Sequence, residues 1–325
     1  MVDKRLSIII PAYNAEKFLL ESVNSCFKQN LKEEEYEVII VDDGSTDNTA
    51  KLADLISTQH HNIKVIHEGN GGLSVARNKG IMASSGKYIQ FLDADDSLVE
   101  GSLKKALEKA ERQNVDICCY LMIVENPNGY KYKQELIGIE KEKVYSGEKA
   151  LIRYNPVGSC CNRLFKLSFF YQNHLRFFPG ISHEDAEFSV KAFSLAKSVI
   201  FTNIYAYIYE YHVNSMVRTK EFTKVKKNVF DNIIIVRNIL DFAESNKNLS
   251  VPLKKHLRKL ASSSLVSTSI SLKIQKEYRD FGFFKEFIRE AKSNNLYPLR
   301  YFTLSWKTTL LIPFLNIISY FIKKK

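Results

Sequence analysis

Short runs of β-branched and aromatic residues alternate with segments of helical periodicity over the first 120 residues. Strands that alternate with helices at this spacing predict βαβ units. The expected fold is therefore α/β, with a Rossmann-like, mostly parallel sheet covered by helices on both faces. The strand candidates are LSIII (6–10), YEVIIV (36–41), IKVI (63–66), KYIQFL (87–92) and VDICCY (115–120).

The pattern changes in the last third of the chain, where helical periodicity replaces alternation. Residues 220–325 contain 21 Lys and Arg against 8 Asp and Glu, a balance of +13. Because the whole chain carries +11, residues 1–219 carry −2. The sequence thus predicts an α/β domain over residues 1–219 and a helical, basic region over residues 220–325.

Polar motifs follow three of the predicted strands directly. They are PAYN after the first strand, DDGS after the second and DADD after the fourth. In open α/β sheets ligands bind beyond the carboxyl ends of the strands, so these motifs are expected to line one site.

The DADD motif places three carboxylates within four positions, and such groups repel one another unless a cation or hydrogen-bond donors hold them. Asp93 and Asp95 are separated by one residue, so in an extended segment both side chains leave the same face. Mg²⁺ or Mn²⁺ would bind there through hard oxygen ligands. The alternative is a solvated turn, in which Asp96 caps the following helix.

Two further motifs supply groups suited to a nucleotide. In VDDGSTD, Asp42 and Asp43 stand where an acidic side chain accepts hydrogen bonds from a base or ribose, and Ser45 or Thr46 is expected to cap the next helix. In GNGGLSVARNKG, Gly72 and its neighbours allow close backbone approach, and Arg77 suits a phosphate or carboxylate.

In their order along residues 5 to about 219, five segments together resemble family 2 glycosyltransferases of the GT-A fold. The resemblance is to the branch that builds bacterial capsule, O-antigen and other surface polysaccharides. It implies a metal-dependent, inverting transfer from a nucleotide-sugar donor, with UDP the favoured nucleotide, to a glycan or lipid-linked acceptor. The segments are SIIIPAYNAEKFL, EVIIVDDGSTDNT, GNGGLSVARNKGI, GKYIQFLDADD and HEDAEF.

The resemblance assigns the DAD residues to the family's DXD motif. Asp95 would bind the Mn²⁺ or Mg²⁺ ion, and Asp93 would lie near the ribose, the diphosphate and the metal. Tyr13 and Asp43 would hold the base. The remaining predicted nucleotide-binding residues are Pro11, Gly72 and Arg77.

The HEDAEF segment supplies the expected catalytic group. By resemblance Asp185 is the catalytic base, Glu184 stands beside it, and His183 is a further candidate. The acidic pair also suits a helix start, and both interpretations are compatible. An Arg that relatives carry near YEYHVNS is absent here, and Arg163 or Arg218 is expected to replace it. His212 in the same segment is a further candidate for the site.

The end of the chain, WKTTLLIPFLNIISYFIKKK, predicts attachment to a membrane surface. Its apolar stretch from Thr309 to Ile322 is shorter than the ~20 residues that span a bilayer. We expect it to lie in the interface, with lysines near anionic headgroups. The alternative is a C-terminal helix docked on its own domain. No nucleic-acid-binding motif appears.

The remaining features favour a cytoplasmic protein that is peripheral on the inner face of the cell membrane. The N-terminal apolar stretch is too short for a signal peptide, and five cysteines without C-x-x-C spacing suggest reduced, buried thiols. Two other functions stay open. A nucleotidyltransferase is disfavoured because PAYNAEKF lacks a Gly-rich phosphate loop, and a non-catalytic binding subunit is disfavoured by the intact carboxylates.

Overall fold

The computed structural model describes residues 4–126, 128–135, 138–211, 221–274 and 282–322. Contacts between residues divide the chain into two units. The first comprises Met1–Gly180 and Ala192–Val213, and the second comprises Ile181–Lys191 and Asn214–Lys325. The domain boundary at residue 219 stays a prediction.

The strands and helices follow the alternation that the sequence predicts. The strands are β1 (Leu6–Ala12), β2 (Tyr36–Asp43), β3 (Ile63–Glu68), β4 (Tyr88–Phe91), β5 (Ser97–Leu98), β6 (Ile117–Glu125), β7 (Lys131–Lys133), β8 (Val144–Tyr145), β9 (Arg163–Lys166) and β10 (Val199–Glu210). The first seven helices are α1 (Leu19–Phe27), α2 (Thr49–Gln59), α3 (Leu73–Ala83), α4 (Ser102–Gln113), α5 (Gly147–Tyr154), α6 (Leu167–Gln172) and α7 (Glu184–Leu195). The C-terminal helices are α8 (Phe222–Ser245), α9 (Val251–Ile274), α10 (Phe283–Ser293), α11 (Trp306–Thr309) and α12 (Ile312–Phe321).

The strands form one mixed sheet in the order β3-β2-β1-β4-β9-β6-β10-β5, with β7 beside β6 and β8 beside β10. Strands β3, β2, β1 and β4 are parallel to one another, and β6 is parallel to β10. Strand β9 is antiparallel to β4 and β6, between which it lies. Every residue of β1 and β2 is buried, so both faces of the sheet are covered. The predicted α/β fold is confirmed.

Helix α3 lies close against the parallel part of the sheet, and a glycine permits that approach. It packs on β1 and β2. A Cβ atom on Gly80 would lie 2.3 Å from the Cγ2 atom of Ile9, well inside van der Waals contact. This close packing fixes the start of α3 beside the carboxyl ends of β1 and β2.

The loops that follow β1 and β2 are tied together by Asn14. Its side-chain Oδ1 accepts hydrogen bonds from the backbone N–H and hydroxyl of Thr46 at 2.8 and 3.2 Å, and its backbone N–H donates to the hydroxyl of Ser45 at 3.0 Å. The prediction that Ser45 or Thr46 caps α2 is therefore wrong. The N–H of Thr49 at the start of α2 donates instead to Asp47 Oδ1 at 2.9 Å.

The second unit is helical where the structure describes it. Helices α8 and α9 pack against each other, and α10 packs against both. Phe230 of α8 makes edge contacts with Phe283 and Phe287 of α10. Over the described part of the chain, no helix has both the length and the apolar character that crossing a bilayer requires.

A histidine links β3 to two carboxylates of neighbouring elements. His67 Nδ1 lies 3.1 Å from Asp42 Oδ2 on β2, and Nε2 lies 3.0 Å from Asp54 Oδ1 on α2. The hydrogen bonds with Asp42 and then with Asp54 raise the pKa of His67 above its usual value. The imidazolium form is thus favoured in the folded protein.

We predict that replacing His67 lowers stability more in acid than in alkaline solution. Because the folded pKa lies above the unfolded value of about 6.5, the stabilisation is fully present below that pH and disappears as pH rises through the folded pKa. Chemical denaturation of wild type and His67→Gln at about pH 5.5 and pH 9 measures the difference. His61→Gln, at an exposed histidine, serves as the control. A difference that stays constant or grows with pH would contradict the prediction.

Candidate functional site

The end of β1 presents an exposed aromatic ring. Pro11 is buried in β1, where it pairs with Val41 of β2. Tyr13 follows two residues later and is 49% exposed. Because Asn14 ties this segment to the loop after β2, the exposed ring stands on a fixed backbone, where it can stack on a flat ligand.

Asp43, the last residue of β2, holds the glycine loop that precedes α3. Its two oxygens accept hydrogen bonds of 2.8 Å from the backbone N–H groups of Gly71 and Gly72. Gly72 has a φ angle of 87°, which glycine adopts at no steric cost. Asp43 is only 4% exposed, and its carboxylate fixes the shape of the loop.

Asp93, directly beyond the end of β4, is held by a buried cation. The guanidinium of Arg77 on α3 donates to Asp93 Oδ1 at 2.8 Å, and this arginine side chain is only 3% exposed. The thiol of Cys161 lies 3.5 Å from Asp93 Oδ2. Arg77 therefore pairs with a carboxylate, one of the two roles that the sequence left open for it.

Asp96, the third carboxylate of DADD, is tied to β10. It accepts hydrogen bonds from the hydroxyl of Tyr207 at 2.5 Å and from the N–H of Glu210 at 2.9 Å. The same tyrosine oxygen accepts a bond from the N–H of Asp93 at 3.2 Å. Burial, followed by the charge of Asp93, raises the pKa of Asp96 well above its usual value. The prediction that Asp96 caps a helix is wrong, because α4 begins only at Ser102 after the short strand β5.

Asp95 lies between these two anchored carboxylates and is partly exposed. The neighbouring Asp93 side chain is 33% exposed. Among the described residues no group of three or more His, Cys, Asp or Glu side chains forms a metal cage. Two partly exposed carboxylates separated by one residue nevertheless fit Mg²⁺ or Mn²⁺, since Mg²⁺ usually takes one or two protein carboxylates and completes its shell with phosphate oxygens and water.

The HED residues begin α7, and all three belong to the second unit. His183 is exposed and has a φ angle of 60°, Glu184 is buried, and Asp185 is partly exposed. Glu184 and Asp185 lie in the first turn of α7, where the helix dipole favours negative charge.

The segment that leads into α7 is held from α8. The backbone N–H of Ser182 donates to Asp231 Oδ2 at 2.7 Å, and Asp231 is also bonded by Lys227 one turn earlier on α8. Asp231 is 93% buried, so its carboxylate fixes the entry to α7. No feature of the sequence distinguishes this aspartate from the other acidic residues of the helix.

Arg163 and Arg218, the two candidates to replace the missing arginine, and the further site candidate His212 have different outcomes. Arg163 on β9 is buried, its Nη2 atom donates to the carbonyl of Pro156 at 2.7 Å, and its guanidinium lies over the ring of Phe193. His212 and Arg218 lie outside the described residues.

Sequence reasoning missed the roles of Tyr207 and Cys161 in holding Asp93. Tyr207 belongs to a run of alternating tyrosines that predicts a simple strand face. Strand β10 is there, but its register against β6 shifts between Phe201 and Tyr205 and again before Tyr207. The alternation alone therefore does not say which tyrosine turns inward.

The chain is similar in sequence and in fold to known proteins. The family described as Glycosyl transferase family 2 matches residues 7–173. The uncharacterized glycosyltransferase EpsJ of Bacillus subtilis is 32% identical over 216 residues, 65% of this chain and 62% of EpsJ. Glycosyltransferase GlyA of Streptococcus pneumoniae is 29% identical over 269 residues, 79% of this chain but 37% of GlyA. The chain thus spans less than two thirds of either relative.

A solved structure shares the fold. The crystal structure of Staphylococcus aureus TarS 1–349 in complex with UDP-GlcNAc superposes with a TM-score of 0.71 at 21% identity, and covers 97% of this chain and 89% of that chain. At this identity the similarity establishes the fold and not the ligand.

We predict that Tyr207→Phe lowers the free energy of unfolding by about 1–3 kcal/mol, because it leaves a buried carboxylate oxygen and a backbone N–H without their shared partner. Urea denaturation measures the change. The control is Tyr205→Phe on the same strand, whose hydroxyl donates to the carbonyl of Gln134 and is only partly buried. The control is expected to lose less, and equal losses would show that the Tyr207 hydroxyl has no special role.

Proposed function

Since the chain belongs to Glycosyl transferase family 2, we propose that it is a glycosyltransferase that moves a sugar from a nucleoside-diphosphate donor to a hydroxyl of a glycan or lipid-linked acceptor. We propose that the product belongs to a bacterial surface polysaccharide and that the transfer inverts the anomeric carbon. The observation that carries the proposal is the set of carboxylates at the end of β2 and beyond β4. Such a set suits a ligand that brings hydroxyls, a diphosphate and a cation to one sheet edge.

The donor nucleotide would bind at the ends of β1 and β2. The exposed ring of Tyr13 is suited to stack on the base. Asp43, together with Pro11 and Gly72 of the neighbouring motifs, would complete the base and ribose site. Both oxygens of Asp43 already accept a backbone hydrogen bond, but a carboxylate has about four acceptor positions and can take further donors. We favour a UDP-sugar, the donor class named in the TarS complex.

The diphosphate would lie beside the DAD segment. Asp95, with Asp93, would hold a Mn²⁺ or Mg²⁺ ion, which supplies charge neutralisation of the leaving diphosphate. Arg77 keeps Asp93 in place through their buried ion pair, so its proposed contribution to nucleotide binding is to position that carboxylate. Asp96 and Tyr207 fix the same turn from the other side.

Asp185 would act as the general base. It takes the proton from the acceptor hydroxyl while the oxygen attacks the anomeric carbon and the bond to the diphosphate breaks. A positioned base contributes ~10²–10⁴-fold to the rate. Its place in the first turn of α7 and the anchoring of Ser182 by Asp231 restrict its motion, as a base requires. Glu184 and His183 remain proposed neighbours of this group.

We also propose that the enzyme works in the cytoplasm, peripheral to the inner face of the cell membrane. The basic C-terminal region, +13 over residues 220–325, favours contact with an anionic surface. An acceptor on a lipid carrier would be reached there.

The reaction is tested by measuring nucleoside diphosphate release from a panel of nucleotide sugars, with Mn²⁺, with Mg²⁺ and with a chelator. We expect one donor to be turned over only when a divalent ion is present. Asp185→Asn should lower turnover about 10²–10⁴-fold while UDP binding is retained. Asp95→Asn should lower turnover and remove the response to the ion.

The matched control is Asp241→Asn, at an exposed carboxylate of α8 that pairs with Arg237. It should keep wild-type turnover. The proposal is wrong if no donor gives metal-dependent release, or if Asp185→Asn and Asp95→Asn both behave like this control.

A further inference from the structure

Helix α12 turns one serine and one leucine inward and leaves most of its apolar side chains exposed. Ser319 is 3% exposed and Leu315 7%, whereas Phe314 is 65% exposed and Tyr320 81%. A helix that docks on a soluble domain normally buries its apolar stripe and exposes its polar one. In α12 all four apolar residues between Ile317 and Phe321 are exposed instead. Among the described residues of the second unit, none covers this apolar side.

Specific polar contacts hold the helix in this orientation. The ammonium of Lys292 on α10 donates to the carbonyls of Ser319 and Ile322 at 2.8 and 2.6 Å, which closes the C-terminal end of α12. The amide of Asn316 exchanges two hydrogen bonds with the backbone of Leu299 at 2.7 and 3.1 Å. Because these contacts are directional, the outward position of the apolar side is a built feature of the unit.

The exposed apolar side extends beyond α12 to the short helix α11. We call this surface the C-terminal apolar face. It consists of Trp306, Leu310, Phe314, Ile317, Tyr320 and Phe321, each between 59% and 81% exposed. Soluble proteins rarely expose so many large apolar side chains together unless the surface contacts another apolar phase.

The segment that forms the C-terminal apolar face carries charged residues of one sign only. Residues 291–325 contain no Asp or Glu, and the basic residues among them include Arg300, Lys307 and Lys323–Lys325. A second copy of the chain would bring these like charges together, which disfavours a symmetric dimer through this face. An anionic lipid surface complements them, and Trp and Tyr are enriched at bilayer interfaces.

We propose that the C-terminal apolar face docks on an anionic lipid bilayer, with α12 lying in the plane of the interface and the basic residues near phosphate-bearing headgroups. The apolar side chains enter the boundary between headgroups and acyl chains, while Asn316 and Ser319 stay bonded within the protein. The inference deepens the membrane location given under the proposed function, and it does not depend on the donor or on the catalytic residues.

The test is cosedimentation of the full chain with lipid vesicles, at low and high salt. The vesicles contain phosphatidylcholine alone or with about a quarter phosphatidylglycerol. We expect binding to the anionic vesicles, weaker binding at high salt, and little binding to the neutral ones. Leu310→Glu and Phe314→Glu should each lower the partition coefficient about tenfold or more, because each puts a charge where an apolar side chain would be buried.

The matched control is Leu55→Glu on α2. Leu55 is 57% exposed and Leu310 60%, so the two substitutions make the same chemical change at similar exposure. Leu55→Glu should bind vesicles like wild type. Far-ultraviolet circular dichroism and thermal unfolding of each variant check that the fold is kept.

Two results would overturn the proposal directly: no binding of the wild type to anionic vesicles, or equal vesicle binding by Leu310→Glu and Leu55→Glu. A third would also overturn it: a wild-type dimer that does not bind lipid and that the Leu310→Glu substitution dissociates. The last result would assign the face to a second copy. Nucleotide release in solution, measured on the same variants, should be unchanged. If the wild type releases no nucleoside diphosphate from any donor, that result counts against the proposed function and not against lipid binding.

Discussion

Mutual repulsion among carboxylates at one sheet edge is the constraint on which this molecule depends. Five acidic residues, Asp42, Asp43, Asp93, Asp95 and Asp96, come together in sequence motifs at strand ends. Compensating donors hold Asp42, Asp43, Asp93 and Asp96 from other elements of the fold. The donors come from separate elements: a histidine on β3, two backbone N–H groups before α3, a buried arginine on α3 and a tyrosine on β10. Each compensating contact also fixes a loop, so the electrostatic cost of the cluster is offset by the same bonds that shape the site.

This arrangement divides the DADD motif into different roles. Asp96 is buried and structural, Asp93 is held by Arg77, and Asp95 is partly exposed beside them. The turn is thus fixed before any ligand binds, which lowers the ordering cost of binding. In the second unit Asp231 has a comparable role, because it holds the segment before α7. The proposed base Asp185 and the proposed metal ligand Asp95 therefore each follow or precede a residue that a buried carboxylate or its partner fixes in place.

The sequence predicts the fold well because apolar periodicity and strand-end motifs are local signals. The sequence predicts strand β2 over residues 36–41, and the strand extends to Asp43; the αβ alternation is confirmed. The predictions that are wrong concern side chains whose hydrogen-bond partners lie far away in the sequence. Thr46 looks like a helix cap but bonds Asn14, and Asp96 looks like one but bonds Tyr207, 111 residues away. Local propensity cannot reveal such partners, and the inward turn of Ser319 on α12 is hidden for the same reason.

The central claim is that this sheet edge binds a nucleoside diphosphate together with a divalent ion at Asp95, and titration calorimetry with UDP tests it most directly. For the wild type we predict that Mn²⁺ tightens UDP binding about tenfold or more, since the ion offsets the charge of both the diphosphate and the carboxylates. Binding of uridine, which has no phosphate, should not respond to Mn²⁺. In Asp95→Asn the response to Mn²⁺ should disappear for UDP as well. Equal UDP affinity with and without Mn²⁺ in the wild type, or an unchanged response in Asp95→Asn, would contradict the account.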